Sequence, residues 1–294
     1  MGRPAKALLG DTRAVGSNPT LSALNRSDVM SIPPPDRRRE SFDEAAPDYN
    51  LYRSGYPDTV VTAVITTSRL RPGSRVLEIG CGTGQLTVPL AQYGAGVVAV
   101  EHGPNLAALA RQNLAGFANV EVEVGAFEDW PPPHDPFDAV VSASAFHWLD
   151  PEVRYSKSAR VLKPRGRLTI LHAHHVRGGT PGFFEDTQPF YMKWGLSDDP
   201  FFRPPRPADV PTTYPELAAR PEFAAVEWHR FEIPRHHTTE TYVGWLKTDS
   251  LVASLDKHAR RGFLADIAKL IETSYHGAVE RNFVYEVVSA ERRF

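Results

Sequence analysis

The residues best suited to chemistry lie where an apolar run gives way to closely spaced glycines. Residues 76–79 form a short run rich in β-branched residues, which predicts a buried parallel strand. Gly80, Gly82 and Gly84 follow at once, and the apolar positions of a helix begin just after them. A strand, a glycine-rich turn and a helix bring backbone N–H groups close to a ligand at the helix N-terminus. The pattern therefore predicts a ligand site at this turn.

The spacing of these glycines argues against a dinucleotide. A dinucleotide fingerprint, G-x-G-x-x-G, would place the third glycine at position 85, which is Gln85; here it comes one residue earlier, at Gly84. Glu78 stands two positions before the first glycine, where its charge could face a cationic group. A pyrophosphate site would not favour an acid there, so the pattern disfavours a nicotinamide oxidoreductase.

A second acid lies at the end of the next strand. Residues 95–100 predict a second buried strand, and Glu101 follows it. An acid about 20 residues past the glycine turn is where a pair of ribose hydroxyls would be held. The alternative is an acid at a helix N-terminus, favoured there by the helix dipole. We interpret Glu101 as the ribose ligand.

A histidine follows the fourth predicted strand. Residues 137–142 form that strand, and the sequence A-S-A-F-H-W comes next. In a doubly wound sheet, ligands lie beyond the carboxyl ends of the strands, near the point where the strand order reverses. His147 can accept a proton near neutral pH, so it is the candidate general base. The alternative is a structural histidine held by the following helix, predicted to start near Pro151.

Three segments resemble motifs of the class I S-adenosylmethionine-dependent methyltransferases. Residues 78–84 read E-x-G-x-G-x-G, as in motif I of that family. Residues 137–142 are similar to its F-D-x-V-x-S strand, and residues 162–166 to its L-K-P-G-G turn, with Arg165 in place of the first glycine. Residues 145–151 also resemble a segment of the trans-aconitate methyltransferase-like (methyltransferase type 11) branch, which indicates a neighbourhood and not a substrate.

The resemblance implies a fold. It is an α/β, doubly wound, Rossmann-like fold with a seven-stranded, mostly parallel sheet. The last strand, predicted around residues 283–289, would be antiparallel and inserted between its two predecessors. Proline and aromatic residues crowd residues 178–221, which we interpret as a cap inserted between strands 5 and 6 that closes the acceptor site. The alternative is a packed insertion without ligand contact.

The resemblance also implies S-adenosyl-L-methionine as the cofactor. The glycines would let the backbone approach its methionine and ribose portions, and Glu78 would act on the amino-acid end through local structure or water. Tyr52 and Arg53 belong to a segment that in related enzymes lies across the cofactor, although they could merely pack an N-terminal helix on the sheet. The predicted cofactor-binding residues are Tyr52, Arg53, Glu78, Gly80, Cys81, Gly82, Gly84, Glu101, His102, Phe127, Glu128 and Ser142.

The adenine side of the predicted site departs from the family's usual sequence. The turn after the third strand reads G-A-F-E-D-W-P, and Ala126 stands where related enzymes often have an acid. A side-chain bond to the adenine amine is therefore not expected at this position. Phe127 and Glu128 remain candidates through ring or backbone contact, and His102 would shape the adenosine side.

Composition narrows the possible partners and location. A formal net charge of −2 gives no basic surface, so nucleic acid is not the expected partner. Cys81 is the only cysteine, which rules out an intramolecular disulfide and a cysteine metal cluster. We predict no metal, because the H-x-H at His172 and His174 has no obvious partnering carboxylate pattern. No apolar run approaches membrane-spanning length and no signal-peptide core is seen, so we expect a cytoplasmic protein without membrane contact.

The first 39 residues differ in character from the rest. They lack sustained apolar periodicity, so we expect a disordered N-terminal extension, followed by a methyltransferase domain over residues 40–294. The run Gly16–Pro19 back-translates to a sequence that resembles the T-arm of a transfer RNA gene. Our hypothesis is that translation truly starts at Met30.

The sequence therefore predicts an enzyme that transfers a methyl group from S-adenosylmethionine to a small molecule. The acceptor atom could belong to a carboxylate, a hydroxyl or an amine. No N-P-P-Y or D-P-P-Y sequence is present, which disfavours nitrogen acceptors in nucleic acid or protein. A non-catalytic cofactor-binding or regulatory protein on the same fold is the first alternative. An NAD(P)-dependent oxidoreductase is the second, and the sequence leaves the oligomeric state open.

Overall fold

One sheet of seven strands organises the protein. The computed structural model describes residues 35–211 and 214–293, so the expectations for the N-terminal extension and for a start at Met30 lie outside the described residues. The strands are β1 (Arg75–Ile79), β2 (Gly96–Glu101), β3 (Val120–Val124), β4 (Phe137–Ala143), β5 (Leu162–Val176), β6 (Phe223–Thr238) and β7 (Ala278–Arg292).

The strand order confirms the predicted doubly wound α/β fold. The order across the sheet is β3-β2-β1-β4-β5-β7-β6. β1 pairs in parallel with β2 and β4, so the order reverses beside β1. β7 runs antiparallel to both β5 and β6, between which it is inserted, as the family resemblance predicted. The switch point lies where the glycine turn leaves β1, which is where this class of sheet binds ligands.

Helices cover both faces of the sheet and its upper edge. The α-helices are α1 (Pro35–Glu44), α2 (Ala46–Tyr52), α3 (Asp58–Thr67), α4 (Thr87–Gln92), α5 (Pro104–Asn113), α6 (Arg154–Val161), α7 (Phe183–Lys193), α8 (Pro215–Ala218), α9 (Thr239–Lys247), α10 (Ser250–Ser254) and α11 (Lys257–Ser274). Single turns of 3-10 helix span Phe146–Trp148 and Pro207–Asp209.

The alternation of side chains along β1 separates two hydrophobic cores. Leu77 and Ile79 belong to a core that also contains Tyr155 of α6, on one face of the sheet. Val76 belongs to the core on the other face, where it joins Val60 of α3. Both faces of these strands are therefore buried, which explains why the parallel strands read as nearly continuous apolar runs.

The second half of the sheet is much taller than the first. β5, β6 and β7 have 15, 16 and 15 residues, whereas β1 to β4 have five to seven. β4 ends opposite Leu171, and β5 continues to Val176 in register with β7. At about 3.3 Å per residue, this extension rises roughly 17 Å above the end of β4. It forms a wall beside the switch point.

Two of the predicted element boundaries were wrong, for identifiable reasons. The sequence pattern predicts a fifth strand over residues 167–171, but the histidines that follow continue the strand and pair with β7. The pattern also predicts one helix over residues 239–251, whereas the structure has two, α9 and α10. The Asp249 carboxylate accepts hydrogen bonds from the backbone N–H groups of Leu251 and Val252 and so caps a new helix.

The described part of the insertion between β5 and β6 contains the α-helices α7 and α8 and the 3-10 turn Pro207–Asp209. Phe183 of α7 packs with Tyr242 of α9 and Phe263 of α11 in a third hydrophobic core that stands against the tall strands. Within the described ranges 35–211 and 214–293, no helix has both the length and the apolar character needed to cross a bilayer.

Candidate active site

The glycine turn adopts a backbone conformation that side chains would obstruct. Gly80 and Gly82 have φ values of +71° and +60°, in the left-handed region that favours glycine. A Cβ atom on Gly80 would lie 2.4 Å from the Cβ of Ala145, far inside contact distance. On Gly82 it would lie 2.9 Å from Gln85 Oε1 and 3.2 Å from the ring of Tyr49. The turn is therefore as close to the loop after β4 and to α2 as a backbone can be.

Glu101 is fixed at the end of β2 by this same turn. Its Oε2 accepts a hydrogen bond from Gly82 N at 2.8 Å, and its Oε1 accepts one from Gly103 N at 2.9 Å. The side chain is 7% exposed and lines the central cavity. Burial raises the pKa of this carboxyl, and the two backbone hydrogen bonds oppose that rise. Each oxygen keeps a lone pair for a ligand in the cavity.

Glu78 lies behind the turn and not in the cavity wall. It is 1% exposed, and its Oε2 has no hydrogen-bond partner among the residues that the structure describes. Burial is the main cause that raises its pKa to about 7, and the charge of Glu101 adds to the rise. Any action of Glu78 on a ligand in the cavity would therefore pass through the turn, and its predicted action on the amino-acid end of the cofactor stays a prediction.

A cavity of about 950 Å³ begins at the glycine turn and extends beneath the insertion. Sites for drug-sized ligands usually measure about 300–1,000 Å³, so this one is at the large end. One side is formed by the turn and by the ends of β2 and β4. The opposite side is formed by the extension of β5 and β7, by Trp245 of α9 and by insertion residues including Tyr214.

The structure brings seven of the predicted residues to this cavity and keeps six away from it. The seven are Arg53, Gly80, Gly82, Glu101, His102, Phe127 and His147. The six that do not line it are Tyr52, Glu78, Cys81, Gly84, Glu128 and Ser142. For the six, direct contact with a ligand in the cavity is not supported.

Four of these six side chains make contacts with other parts of the protein. The Ser142 hydroxyl donates to the carbonyl of Ile79 at 2.9 Å and ties β4 to β1. Cys81 is 3% exposed and packs in the core against α3. The Tyr52 hydroxyl contacts Glu240 at the surface, at 3.4 Å. The Glu128 carboxylate accepts from Asp150 N at 3.1 Å.

Arg53 joins the N-terminal helices to α9. Its Nε donates to Thr248 Oγ1 at 2.7 Å and its Nη2 to the Thr248 carbonyl at 3.0 Å. The guanidinium carbon lies 5.4 Å from the ring centre of Tyr49 and 5.3 Å from that of Trp245. Arg53 thus holds two aromatic walls of the cavity together, and its Nε and Nη2 are both bonded within the protein.

Three histidines line the middle of the cavity. His147 lies in the 3-10 turn after β4, and its ring centre is 6.5 Å from that of His172 on β5. His172 stacks on Tyr214 at 5.4 Å, and burial is the main cause that lowers its pKa to about 3. His174 Nε2 lies 2.8 Å from the carboxylate of Glu286. Within the described part of the chain, no group of three or more His, Cys, Asp or Glu side chains is arranged to hold a metal ion.

Sequence reasoning missed the cavity residues of the last strand and of α9. Arg281, Phe283 and Glu286 of β7 line the cavity, together with Trp245 of α9. One signal was available: Arg281 extends the apolar alternation of Phe283 and Tyr285 by one step toward the N-terminus. A charged residue in phase with buried aromatic residues is a candidate for a functional position.

Comparison with known proteins agrees with this geometry. A family model described as "Methyltransferase domain" matches residues 76–166. An uncharacterized methyltransferase of Mycobacterium tuberculosis is 34% identical over 131 residues, which cover 45% of this chain and 51% of that protein. The match thus spans only about half the length of that relative. A protein-L-isoaspartate O-methyltransferase of Gloeobacter violaceus is 31% identical over 168 residues, which cover 55% of this chain and 81% of that protein.

A solved structure shares the fold. It is phosphoethanolamine N-methyltransferase 2 of Haemonchus contortus in complex with phosphomonomethylethanolamine and S-adenosylhomocysteine. The TM-score is 0.51 at 17% identity, over 90% of this chain and 61% of that chain. The glycine turn, the acid after β2, the strand order and these relatives agree with one another. The chain belongs to the class I S-adenosylmethionine-dependent methyltransferase family.

Proposed function

We propose that this protein transfers a methyl group from S-adenosyl-L-methionine to a small organic molecule. The observation that carries the proposal is the position of Glu101. Two backbone N–H groups, from Gly82 and Gly103, hold its carboxylate in the cavity wall beside the glycine turn. An acid fixed in this way at the end of the second strand matches the requirement for binding a ribose.

The residues around Glu101 fit the cofactor. The carboxylate has lone pairs left for two ribose hydroxyls. Gly80 and Gly82 present bare backbone to the cavity, so a ligand can approach the turn closely. Phe127 offers a buried aromatic ring and His102 lies at the rim, as expected for the adenosine side. The cavity volume of about 950 Å³ leaves room for a second, smaller ligand.

In methyl transfer, the main task of the protein is to align the acceptor with the methyl group of the cofactor. When bound, S-adenosylmethionine supplies a methyl group that its sulfonium makes electrophilic. The fold contributes by holding the acceptor in one orientation in the enclosed part of the cavity. A hydroxyl or amine acceptor must also lose a proton, and His147 is the cavity residue that we assign to take it. The neighbouring His172 stays neutral at physiological pH, so it adds no charge that would oppose protonation of His147.

A small acceptor is supported by the enclosure of the cavity. Insertion residues from the stretches 205–211 and 214–216 line its outer side, and Phe42 and Trp148 line it near α1. The rings of Phe42 and Trp148 pack edge to face with their centres 5.8 Å apart. A cavity bounded in this way suits a compact molecule better than a folded macromolecule. A cytoplasmic location and the absence of a nucleic-acid partner remain predictions from the sequence.

The proposal is tested by following the methyl group. The full chain is incubated with S-adenosyl-L-methionine labelled in the methyl group and with a metabolite extract from which macromolecules have been removed. We expect S-adenosylhomocysteine to accumulate and the label to enter a small product. Binding of the cofactor without transfer to any extract component would instead indicate a non-catalytic binding protein. Transfer only to a protein or nucleic-acid fraction would contradict the small-molecule proposal.

A further inference from the structure

Arg281 is a buried cation in the wall of the cavity. It lies near the start of β7, is 4% exposed, and belongs to the residues that line the cavity. Burial is the main cause that lowers the pKa of its guanidinium. Burying an arginine costs free energy unless its N–H donors are hydrogen-bonded and its charge is paired with an acid.

Within residues 39–211 and 214–293, Arg281 has no acid as an ion-pair partner, and two of its nitrogen atoms have no hydrogen-bond partner. Its Nε and Nη1 are buried without a hydrogen-bond partner there, and no carboxylate of those residues lies within ion-pair distance. Two other buried arginines differ in this respect. Arg167 pairs with Glu227 at 2.9 Å, and Arg154 pairs with Glu216 at 2.5 Å. Within residues 39–211 and 214–293, a carboxylate therefore lies within ion-pair distance of each of these two arginines and not of Arg281.

Aromatic rings hold the Arg281 guanidinium in place. Its central carbon lies 3.8 Å from the ring centre of Trp245 and 4.9 Å from that of Phe283. Stacking of this kind fixes the plane of the guanidinium and leaves its N–H donors free at the edge. Asp249 is an acid whose charge acts on the pKa of Arg281, and its Oδ1 already accepts from the backbone at the start of α10. Arg53 is a cation whose charge acts on the same pKa, and it is bonded to Thr248.

We propose that Arg281 binds the carboxylate of the methyl acceptor, which is an organic monocarboxylate with an apolar body. This inference rests on the proposed function. A planar carboxylate matches the two-pronged edge of a guanidinium, and charge-assisted bonds of this kind are the strongest available to arginine. The apolar body would lie against Trp245 and Phe283.

The charges of the cavity favour one carboxylate over a polyanion. Four acids line the cavity on this side, and three of them are paired with a cation: Glu286 with His174, Glu216 with Arg154 and Asp209 with Arg206. The negative charge of the fourth, Asp249, acts on Arg281 and opposes a ligand with several negative charges. These acids are Asp209, Glu216, Asp249 and Glu286.

The position of Arg281 also separates it from the cofactor side. Arg281 and Tyr285 are four residues apart on β7, about 13 Å along an extended strand. The ring of Tyr285 packs edge to face on Tyr56, whose hydroxyl lies 3.3 Å from Ser144 Oγ, beside the glycine turn. A carboxylate at Arg281 thus lies at the far end of the cavity, so it serves as a handle and the methyl group goes to another atom of the acceptor.

The test uses calorimetry on the full chain saturated with S-adenosylhomocysteine. The probes are phenylacetate, 3-phenylpropionate and 4-phenylbutyrate, each compared with its uncharged amide. We expect at least one carboxylate to bind at least about 10-fold more tightly than its amide. R281M should weaken carboxylate binding about 30-fold and leave amide binding and the Kd of S-adenosylhomocysteine within about threefold. R281K keeps the positive charge but loses the paired N–H donors of the guanidinium, so its affinity for the carboxylate should lie between those of wild type and R281M.

Thermal unfolding of the free protein separates a ligand-binding role from a structural one. Because Arg281 is an unmatched buried charge, R281M should keep or raise the Tm, whereas a structural arginine would lower it. The inference is overturned if no carboxylate binds up to about 10 mM, or if carboxylate and amide bind alike. It is also overturned if R281M weakens S-adenosylhomocysteine binding 10-fold, since Arg281 would then hold the cofactor. If the wild-type chain does not bind S-adenosylhomocysteine at all, the proposed function itself fails.

Discussion

The Glu101 carboxylate and the Gly82 backbone N–H meet at 2.8 Å, so the acid at the end of β2 is anchored to the glycine turn that follows β1. These two residues are 19 apart in sequence; Glu101 ends β2, and Gly82 lies in the turn after β1, the strand that pairs in parallel with β2. The hydrogen bond fixes the acid and the turn relative to each other at the switch point of the sheet, where we propose that the cofactor binds.

Replacing Glu101 by alanine should remove most of the affinity for the cofactor. Two charge-assisted hydrogen bonds to ribose hydroxyls contribute roughly 1.5–3 kcal/mol each, so the Kd of S-adenosylmethionine should rise about 100-fold or more. Glu121→Ala is the matched control, because Glu121 is an exposed acid on the neighbouring strand β3. Calorimetric titration of both variants checks this. Equal affinity of Glu101→Ala and wild type would refute the assignment of Glu101 to the ribose.

A single methyl group on Gly80 should disrupt the turn. Gly80→Ala forces a side chain into positive φ and places its Cβ 2.4 Å from the Cβ of Ala145. We expect the free energy of unfolding to fall by about 1–3 kcal/mol and cofactor binding to weaken. Chemical denaturation measures the first effect. Gly116→Ala should be neutral, because a Cβ there meets nothing within 4 Å.

A second substitution separates the two causes of the Gly80→Ala effect. Adding Ala145→Gly removes the steric clash but leaves the positive φ, so it should restore part of the lost stability. Full additivity of the two single substitutions would show that the contact between residues 80 and 145 is not the cause.

The buried acid Glu78 should make stability depend on pH. Its folded-state pKa is raised to about 7 from an ordinary 4.5, so the folded state binds the proton more tightly than the unfolded state. Stability from this group is therefore fully present below about pH 4.5 and is lost as the pH rises toward 7, with a total on the order of 3 kcal/mol. Glu78→Gln cannot ionise and should lack this loss.

The measurement is the Tm of wild type and Glu78→Gln at pH 5 and at pH 8. We expect the variant to gain stability relative to wild type as the pH rises. If the difference between the two proteins is the same at both values, Glu78 does not carry the proton that its burial implies.

His147 should affect turnover and not cofactor binding. If it accepts the proton of a hydroxyl or amine acceptor, His147→Ala should lower kcat about 10²–10⁴-fold. The Kd of S-adenosylhomocysteine should stay unchanged. His134→Ala is the control, since the His134 side chain is fully exposed on a loop. An unchanged kcat would mean that the acceptor needs no base or that another group provides it.

Features that depend on local pattern could be predicted from the sequence. The glycine spacing, the acid after β2 and the alternation of β7 each involve residues near one another in the chain, and each predicted its element correctly. The insertion of β7 between β5 and β6 followed from the family resemblance. The helix break at Asp249 could also have been found, because an aspartate before Ser250 and Leu251 is a recognisable N-cap.

Features that depend on tertiary contact could not be predicted in this way. Whether Glu78 faces the cavity or lies behind the turn is decided by the packing of both strands beside β1. The stacking of Arg281 on Trp245 joins residues 36 apart, from a strand and a helix whose relative position no local pattern specifies. The same holds for His172 and His174, whose place in the cavity wall depends on the pairing of β5 with β7.

Calorimetric titration of the full chain with S-adenosylmethionine, and separately with NADH, tests the central claim most directly. We predict saturable binding of S-adenosylmethionine at one site and no binding of NADH. Binding of NADH alone, or of neither ligand by a protein shown to be folded, would contradict the claim that this cavity holds S-adenosylmethionine.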